Sequence, residues 1–181
     1  MKDKLIVYKV SKDDMTEALF QQIVEVENSG GDPYSVEQLK ELWLGNHNFD
    51  CFVCTNHHKV VGHITFNPHS RRRNGSIYLV NLVVLSQYRR RGVGQRLLKA
   101  GCEYYLKQGC TLPFSLSVDK DNISAITLYK KLGFQDQEPI NEIEEDDMQY
   151  IMESPLEEVY HNILLKQKTK SEKYVTKTKK L

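Results

Sequence analysis

Residues 80–98 read Val-Asn-Leu-Val-Val-Leu-Ser-Gln-Tyr-Arg-Arg-Arg-Gly-Val-Gly-Gln-Arg-Leu-Leu. An apolar run stops, a basic turn follows, and a helical pattern begins. Ile77 to Leu85 is rich in branched residues and predicts a buried strand. Val93, Leu97, Ala100 and Tyr104 recur at helical spacing, so Gly92 to about Gln108 predicts an amphipathic helix. The junction constrains the chain most. The first turn of a helix carries unsatisfied N–H groups and the positive end of the macrodipole. Gly92 and Gly94 place no side chain between those amides and an anion. Arg89, Arg90 and Arg91 add positive charge beside them. Strand, basic turn and glycine-rich helix start together predict a diphosphate cradle.

Two familiar cradles are excluded. A dinucleotide fingerprint needs a third glycine three residues after Gly94, where Leu97 stands. A P-loop needs Lys-Ser/Thr after the glycine, where Gln95 and Arg96 stand. The pattern present is Arg-x-x-Gly-x-Gly, at Arg89, Gly92 and Gly94, directly after a strand. A second block follows, Asn122-Ile-Ser-Ala125-Ile-Thr-Leu128-Tyr129-Lys-Lys-Leu-Gly133-Phe134. Asn122 is placed as an N-cap, Ala125, Leu128, Tyr129 and Leu132 share one helical face, and Gly133 suits a left-handed C′ position.

In order and separation the two blocks resemble the coenzyme-A and Asn-x-x-Ala-x-x-Leu-Tyr-x-x-x-Gly-Phe segments of the GNAT superfamily of N-acetyltransferases. The resemblance spans about Leu5 to Ile151 and is specific over Leu82 to Phe134. It implies an α/β fold, a mixed, mostly antiparallel, twisted sheet with helices on both faces. It also implies acetyl-CoA as co-substrate and direct acetyl transfer to a primary amine. Arg89, Arg90, Arg91, Gly92, Val93, Gly94 and Gln95 would hold the pyrophosphate, with Asn122 nearby. Leu82, Val83 and Val84 would hold the pantetheine arm with free backbone groups, and an amide there polarises the thioester carbonyl. Spacing alone makes Tyr129 a core aromatic, whereas the resemblance makes it the proton donor to the departing thiolate. The alternative function is a catalytically silent acyl-CoA-binding or interaction domain.

There is a weaker similarity to ribosomal-protein N-terminal acetyltransferases, and Asp32-Pro-Tyr-Ser35 resembles the same place in protein N-terminal acetyltransferases. The chain departs from that subfamily at Ser117, where a glutamate base is expected. His63, Glu103 and the acids of residues 142–147 are other candidates, and the base stays unassigned. The acceptor is expected to be a small-molecule amine or a peptide or protein amine, and the oligomeric state stays open.

At 181 residues one domain is expected. The net charge of +1 supplies no field to steer the chain toward nucleic acid or a membrane. The charge is nevertheless segregated. Residues 137–158 hold nine acids and no base, and residues 166–181 hold seven lysines and one acid. The acidic stretch is read as solvated or as attracting a cationic acceptor. The organisation expected is a catalytic domain over 1–154, an amphipathic helix over 155–165 and a mobile lysine-rich tail over 166–181. No leader or spanning segment is apparent, so a cytoplasmic location with reduced cysteines is expected. Cys51 and Cys54 lie three apart in a predicted strand and so point to opposite faces, which argues against a metal site. The expected helices include one capped by Ser11 or Asp13 and ending near Val26, and one starting at Ser35. Residues 56–59 are expected to turn a hairpin. Arg71 to Arg73 are read as a solvated face, with holding the adenosine 3′-phosphate as the alternative, since arginine suits phosphate oxygens.

Overall fold

The structure is a computed structural model that describes residues 4–11, 13–30, 36–44, 49–69, 75–139 and 148–178. Its elements are β1 (Leu5–Val10), α1 (Glu17–Glu27), α2 (Val36–Leu44), β2 (Asp50–Asn56), β3 (Lys59–Asn67), β4 (Ile77–Val84), α3 (Val93–Lys107), β5 (Phe114–Asp119), α4 (Ile123–Lys131), β6 (Gln135–Gln137), β7 (Gln149–Ser154) and α5 (Leu156–Thr178). The strands form one sheet in the order β1-β2-β3-β4-β5-β7-β6. Every neighbouring pair is antiparallel except β4 with β5. This is the mixed, mostly antiparallel α/β architecture the sequence predicts. Among the described residues no helix is long and apolar enough to cross a membrane.

Strand alternation splits the core in two. On one face Phe52, Ile64, Phe66, Leu79 and Leu116 pack with Leu97, Leu98 and Cys102 of α3. On the other Val10, Cys51, Val53 and Val60 pack with Phe20, Ile23 and Val24 of α1. Cys51 and Cys54 accordingly fall in different clusters. The hairpin between β2 and β3 turns on His57 and His58, at φ 47° and 70°, the left-handed pair that a two-residue turn demands.

Some boundaries differ from expectation. Helix α1 is capped by Thr16, whose Oγ1 accepts from the Leu19 N–H at 3.2 Å. Ser11 and Asp14 bond one another upstream instead, at 2.6 Å, and hold the turn that precedes the helix. Helix α5 runs to Thr178, well past the 155–165 span, so most of the lysine-rich segment has helical backbone. Ser35, the Asp32-Pro-Tyr-Ser35 stretch, Arg71 to Arg73 and the 142–147 acids lie outside the described residues.

The feature that creates a site is the β4–β5 junction. The two strands pair in parallel only at Ile77–Phe114, Tyr78–Ser115 and Leu79–Leu116. Beyond these, β5 stays with β7 and β4 stays with β3. The ladder of β4 shifts at Val80, since Thr65 faces Asn81 and Phe66 faces Leu79. Such a bulge bends its strand, and from there β4 diverges from β5.

Candidate active site

A cavity of about 600 Å³ opens where the strands part. Leu82, Val83 and Val84 form one wall. Each pairs with β3, to Ile64, His63 and Gly62 respectively, and none pairs with β5. A ligand in the cleft therefore meets strand backbone with no partner strand on that side.

The next wall is the start of α3. Arg89, Arg90, Gly92, Val93, Gly94 and Gln95 all line the cavity. Gly92 is the N-cap at φ 83°, a left-handed conformation that favours glycine, and it offers no side-chain cap to the first-turn amides. A Cβ built on Gly92 meets nothing within 4 Å, and one on Gly94 comes no nearer than 3.6 Å, to Leu82. Protein packing thus does not exclude a side chain at either glycine. The space one would take is the cavity itself, beside open helix amides. The residues fit a diphosphate there.

The arginines divide. The Arg89 Nε donates to the Val84 carbonyl at 3.0 Å and ties the turn back to β4. Arg90 adopts φ 60° on the cavity rim. Arg91 is placed differently. Its guanidinium lies 5.4 Å over the Tyr88 ring, and the residue lines an adjoining groove between β1, α3 and α5 rather than this cavity.

Helix α4 closes the far side. The Asn122 Oδ1 accepts from the Ala125 N–H at 3.2 Å and caps the helix at the cavity edge. Tyr129, 6% exposed, lines the cavity. Its position is set by the helix end. The Phe134 N–H reaches the Tyr129 carbonyl at 3.1 Å and the Gly133 N–H reaches Lys130 at 3.2 Å, a Schellman arrangement with Gly133 at φ 101°. The Phe134 ring packs 5.4 Å from the Tyr129 ring. Burial, with Tyr78 adding to it, pushes the Tyr129 phenol above its ordinary range, so it is held protonated.

The three base candidates meet different fates. Glu103 is on the groove side of α3, beside Lys99 at 3.4 Å and accepting from the Tyr160 hydroxyl at 3.2 Å. His63 is fully buried behind β4 and lies 2.6 Å from Glu27. The 142–147 acids are outside the described residues. At Ser117 the hydroxyl accepts from the Tyr78 hydroxyl at 3.0 Å, so a hydroxyl pair stands where a carboxylate was sought. Burial raises Cys54 to about 11 and Cys102 to about 12, so neither supplies a thiolate at neutral pH. Among the described residues no group of three or more His, Cys, Asp or Glu is placed to hold a metal.

Sequence reasoning missed Gly30, Tyr88, Ser124, Ala125 and Leu128 as cavity residues. Ser124 sits two residues from the Asn122 cap, a signal that was available. Gly30 reaches the cavity only because α1 ends beside β4, which no local pattern records.

The geometry agrees with comparison to known proteins. The model of the acetyltransferase (GNAT) family matches residues 13–134, and the chain belongs to that family. It is 41% identical over 78 residues to the thialysine N-epsilon-acetyltransferase of Mus musculus, covering 42% of this chain and 45% of that protein. It is 31% identical over 84 residues to the N-alpha-acetyltransferase MAK3 of Arabidopsis thaliana, covering 46% of this chain and 44% of that one. The chain thus matches somewhat less than half the length of these two relatives. In fold it resembles the ribosomal-protein-S18-alanine N-acetyltransferase of Escherichia coli, with TM-score 0.64, 22% identity, and coverage of 84% of this chain and 94% of that one.

Proposed function

We propose that this protein moves an acetyl group from acetyl-CoA to a primary amine by direct transfer. The observation that carries this reading is the single cavity at the β4–β5 split, which brings both sequence blocks onto one space. Acetyl-CoA supplies an activated thioester. The open amides of Val93, Gly94 and Gln95 bind its diphosphate, with Arg89 and Arg90 at the rim and Asn122 capping the opposite helix. The edge of Leu82, Val83 and Val84 that has no partner strand binds the pantetheine arm, and one amide there polarises the thioester carbonyl, worth ~3 kcal/mol.

As the amine nitrogen bonds to the carbonyl carbon, the carbon–sulfur bond breaks and the pair of electrons leaves on sulfur. Tyr129 is the hydroxyl at hand to meet that charge. Its burial keeps it in the donor form at any working pH and makes it a weaker acid, so it acts first as a hydrogen-bond donor, yields its proton to sulfur as the bond breaks and takes one back from solvent when the products leave. The acceptor's surplus proton goes to solvent. Burial raises the thiols of Cys51, Cys54 and Cys102, which favours direct transfer over an acetyl-thiol enzyme. The acceptor is a small-molecule, peptide or protein amine. The two relatives are named for acting on an ε-amine and on α-amines, so both kinds belong in the test. The described cysteines are all unbridged, in keeping with a cytoplasmic location.

The test is thiol release from acetyl-CoA with thialysine, spermidine and an unblocked peptide N-terminus. Amine-dependent release is expected with at least one. Tight acetyl-CoA binding with no release against any amine would point to a silent binding domain instead.

A further inference from the structure

Glu27 is the one buried carboxylate among the described residues. It ends α1 and touches three things at once. Its Oε1 accepts from the Asn81 Nδ2 of β4 at 2.9 Å. Its Oε2 lies 2.6 Å from the His63 Nε2 of β3, whose side chain is fully buried. Its backbone carbonyl accepts from the Gly30 N–H at 3.0 Å. Gly30 in turn abuts Val83, since a Cβ there would come within 2.8 Å of the Val83 Cγ1. Gly30 and Val83 both line the cavity, while Glu27, Asn81 and His63 do not.

The network sits where β4 leaves β5. Asn81 follows the bulge at Val80, and His63 is the register partner of Val83. One carboxylate therefore ties the end of α1 to both strands at the point where the cavity opens. A buried polar network is an inefficient source of stability, because desolvation offsets its attraction. What a fixed network does provide is one defined geometry. On the α1 side of β4, that geometry sets how closely Gly30 stands to Val83.

We infer that the Asn81–Glu27–His63 network, by holding Gly30 against the Val83 side chain, positions the Gly30 side of the cavity, the wall left to the amine once the α3 amides and the β4 backbone edge are given to the cofactor. Glu27 and its partners are positioning residues, acting through Gly30 and Val83 without meeting the substrate. The inference rests on the cavity being the acetyl-transfer site, with the cofactor's diphosphate at the α3 end.

The experiment compares Glu27→Ala, which severs every side-chain tie, with Glu27→Gln, which keeps the length and polar contacts. Asn81→Ala, which severs only the β4 arm, serves if Glu27→Ala does not fold. Three readouts are taken on folded protein: Gly30 amide exchange by NMR, acetyl-CoA affinity by calorimetry, and KM and kcat with spermidine or whichever amine the parent turns over. Glu27→Ala, or Asn81→Ala in its place, is expected to speed Gly30 exchange at least tenfold. It is also expected to raise the amine KM about tenfold, with kcat and acetyl-CoA affinity each within about twofold. Glu27→Gln is expected to restore most of the Gly30 protection. Parent-like Gly30 exchange in the severed variant overturns the inference. So does an equal loss of acetyl-CoA affinity, which would mark general damage to the fold. A parent that acetylates no amine would defeat the proposed function alone, and the exchange readout would still decide this inference.

Discussion

At the scale of single residues, we propose that Tyr129 serves both packing and chemistry. Its ring rests on Phe134 and its position is locked by the Gly133 helix end, which holds the residue on the cavity wall. Tyr129→Phe keeps the ring and removes the donor. Turnover is expected to fall roughly 10²-fold, with melting temperature nearly unchanged, as read by steady-state kinetics and thermal denaturation. The raised phenol also fixes a sign. A group whose folded pKa lies above its unfolded value stabilises the fold below the unfolded value, about 10 for tyrosine, and loses that contribution as pH rises further. Loss of activity on the alkaline side below pH ~10 would therefore have to come from another group, and the Tyr129→Phe protein should keep the parent's alkaline limb.

At the scale of elements, the distance between α3 and the sheet decides where the α3 amides point. Gly101 sets that distance. A Cβ there would meet the Phe66 ring at 2.5 Å, and Phe66 is hemmed by Phe52, Tyr105 and Phe114 at 5.0–6.0 Å between centroids. Gly101→Ala is expected to cost about 1–3 kcal/mol in chemical denaturation, because the ring cannot step aside. The elements that carry the site were legible in the sequence for a physical reason. A strand end, a glycine-x-glycine turn and an Asn-capped helix are local, and each residue's role follows from its neighbours in the chain. What was not legible depends on other elements. Arg91 is indistinguishable from Arg89 and Arg90 until the turn gives each a direction. Gly30, the Val80 bulge and the Glu27 contacts exist only once α1 is laid across β3 and β4. The cap of α1 was misplaced because Ser11 and Asp14 carry cap chemistry but use it on each other.

For the molecule as a whole, α5 extends the domain beyond its final strand. Leu156, Val159 and Ile163 are buried against the α3 side, with at most 2% of any of them exposed. The Asn162 Nδ2 donates to the Leu132 carbonyl at 3.1 Å, and the Lys166 Nζ donates to the Lys131 carbonyl at 2.6 Å. This part of α5 thus braces the helix end that positions Tyr129. Ile163→Ala is expected to lose about 2–5 kcal/mol of stability. We propose that the lysine-rich remainder is separable from the fold. Removing residues 170–181 should leave both the denaturation midpoint and acetyl-CoA affinity unchanged, and a fall in either would make the far end of α5 part of the folded core.

The cavity at the β4–β5 split is where these scales meet, and its occupant can be tested without knowing the acceptor. Acetyl-CoA is titrated calorimetrically into the parent and into Gly94→Glu, whose carboxylate would enter the space beside the α3 amides while meeting no protein atom nearer than 3.6 Å from its Cβ. The parent should bind one equivalent, and the variant, folded by circular dichroism, should bind none. A folded Gly94→Glu protein that binds acetyl-CoA as tightly as the parent, or a parent that binds none, would contradict the assignment of this cavity.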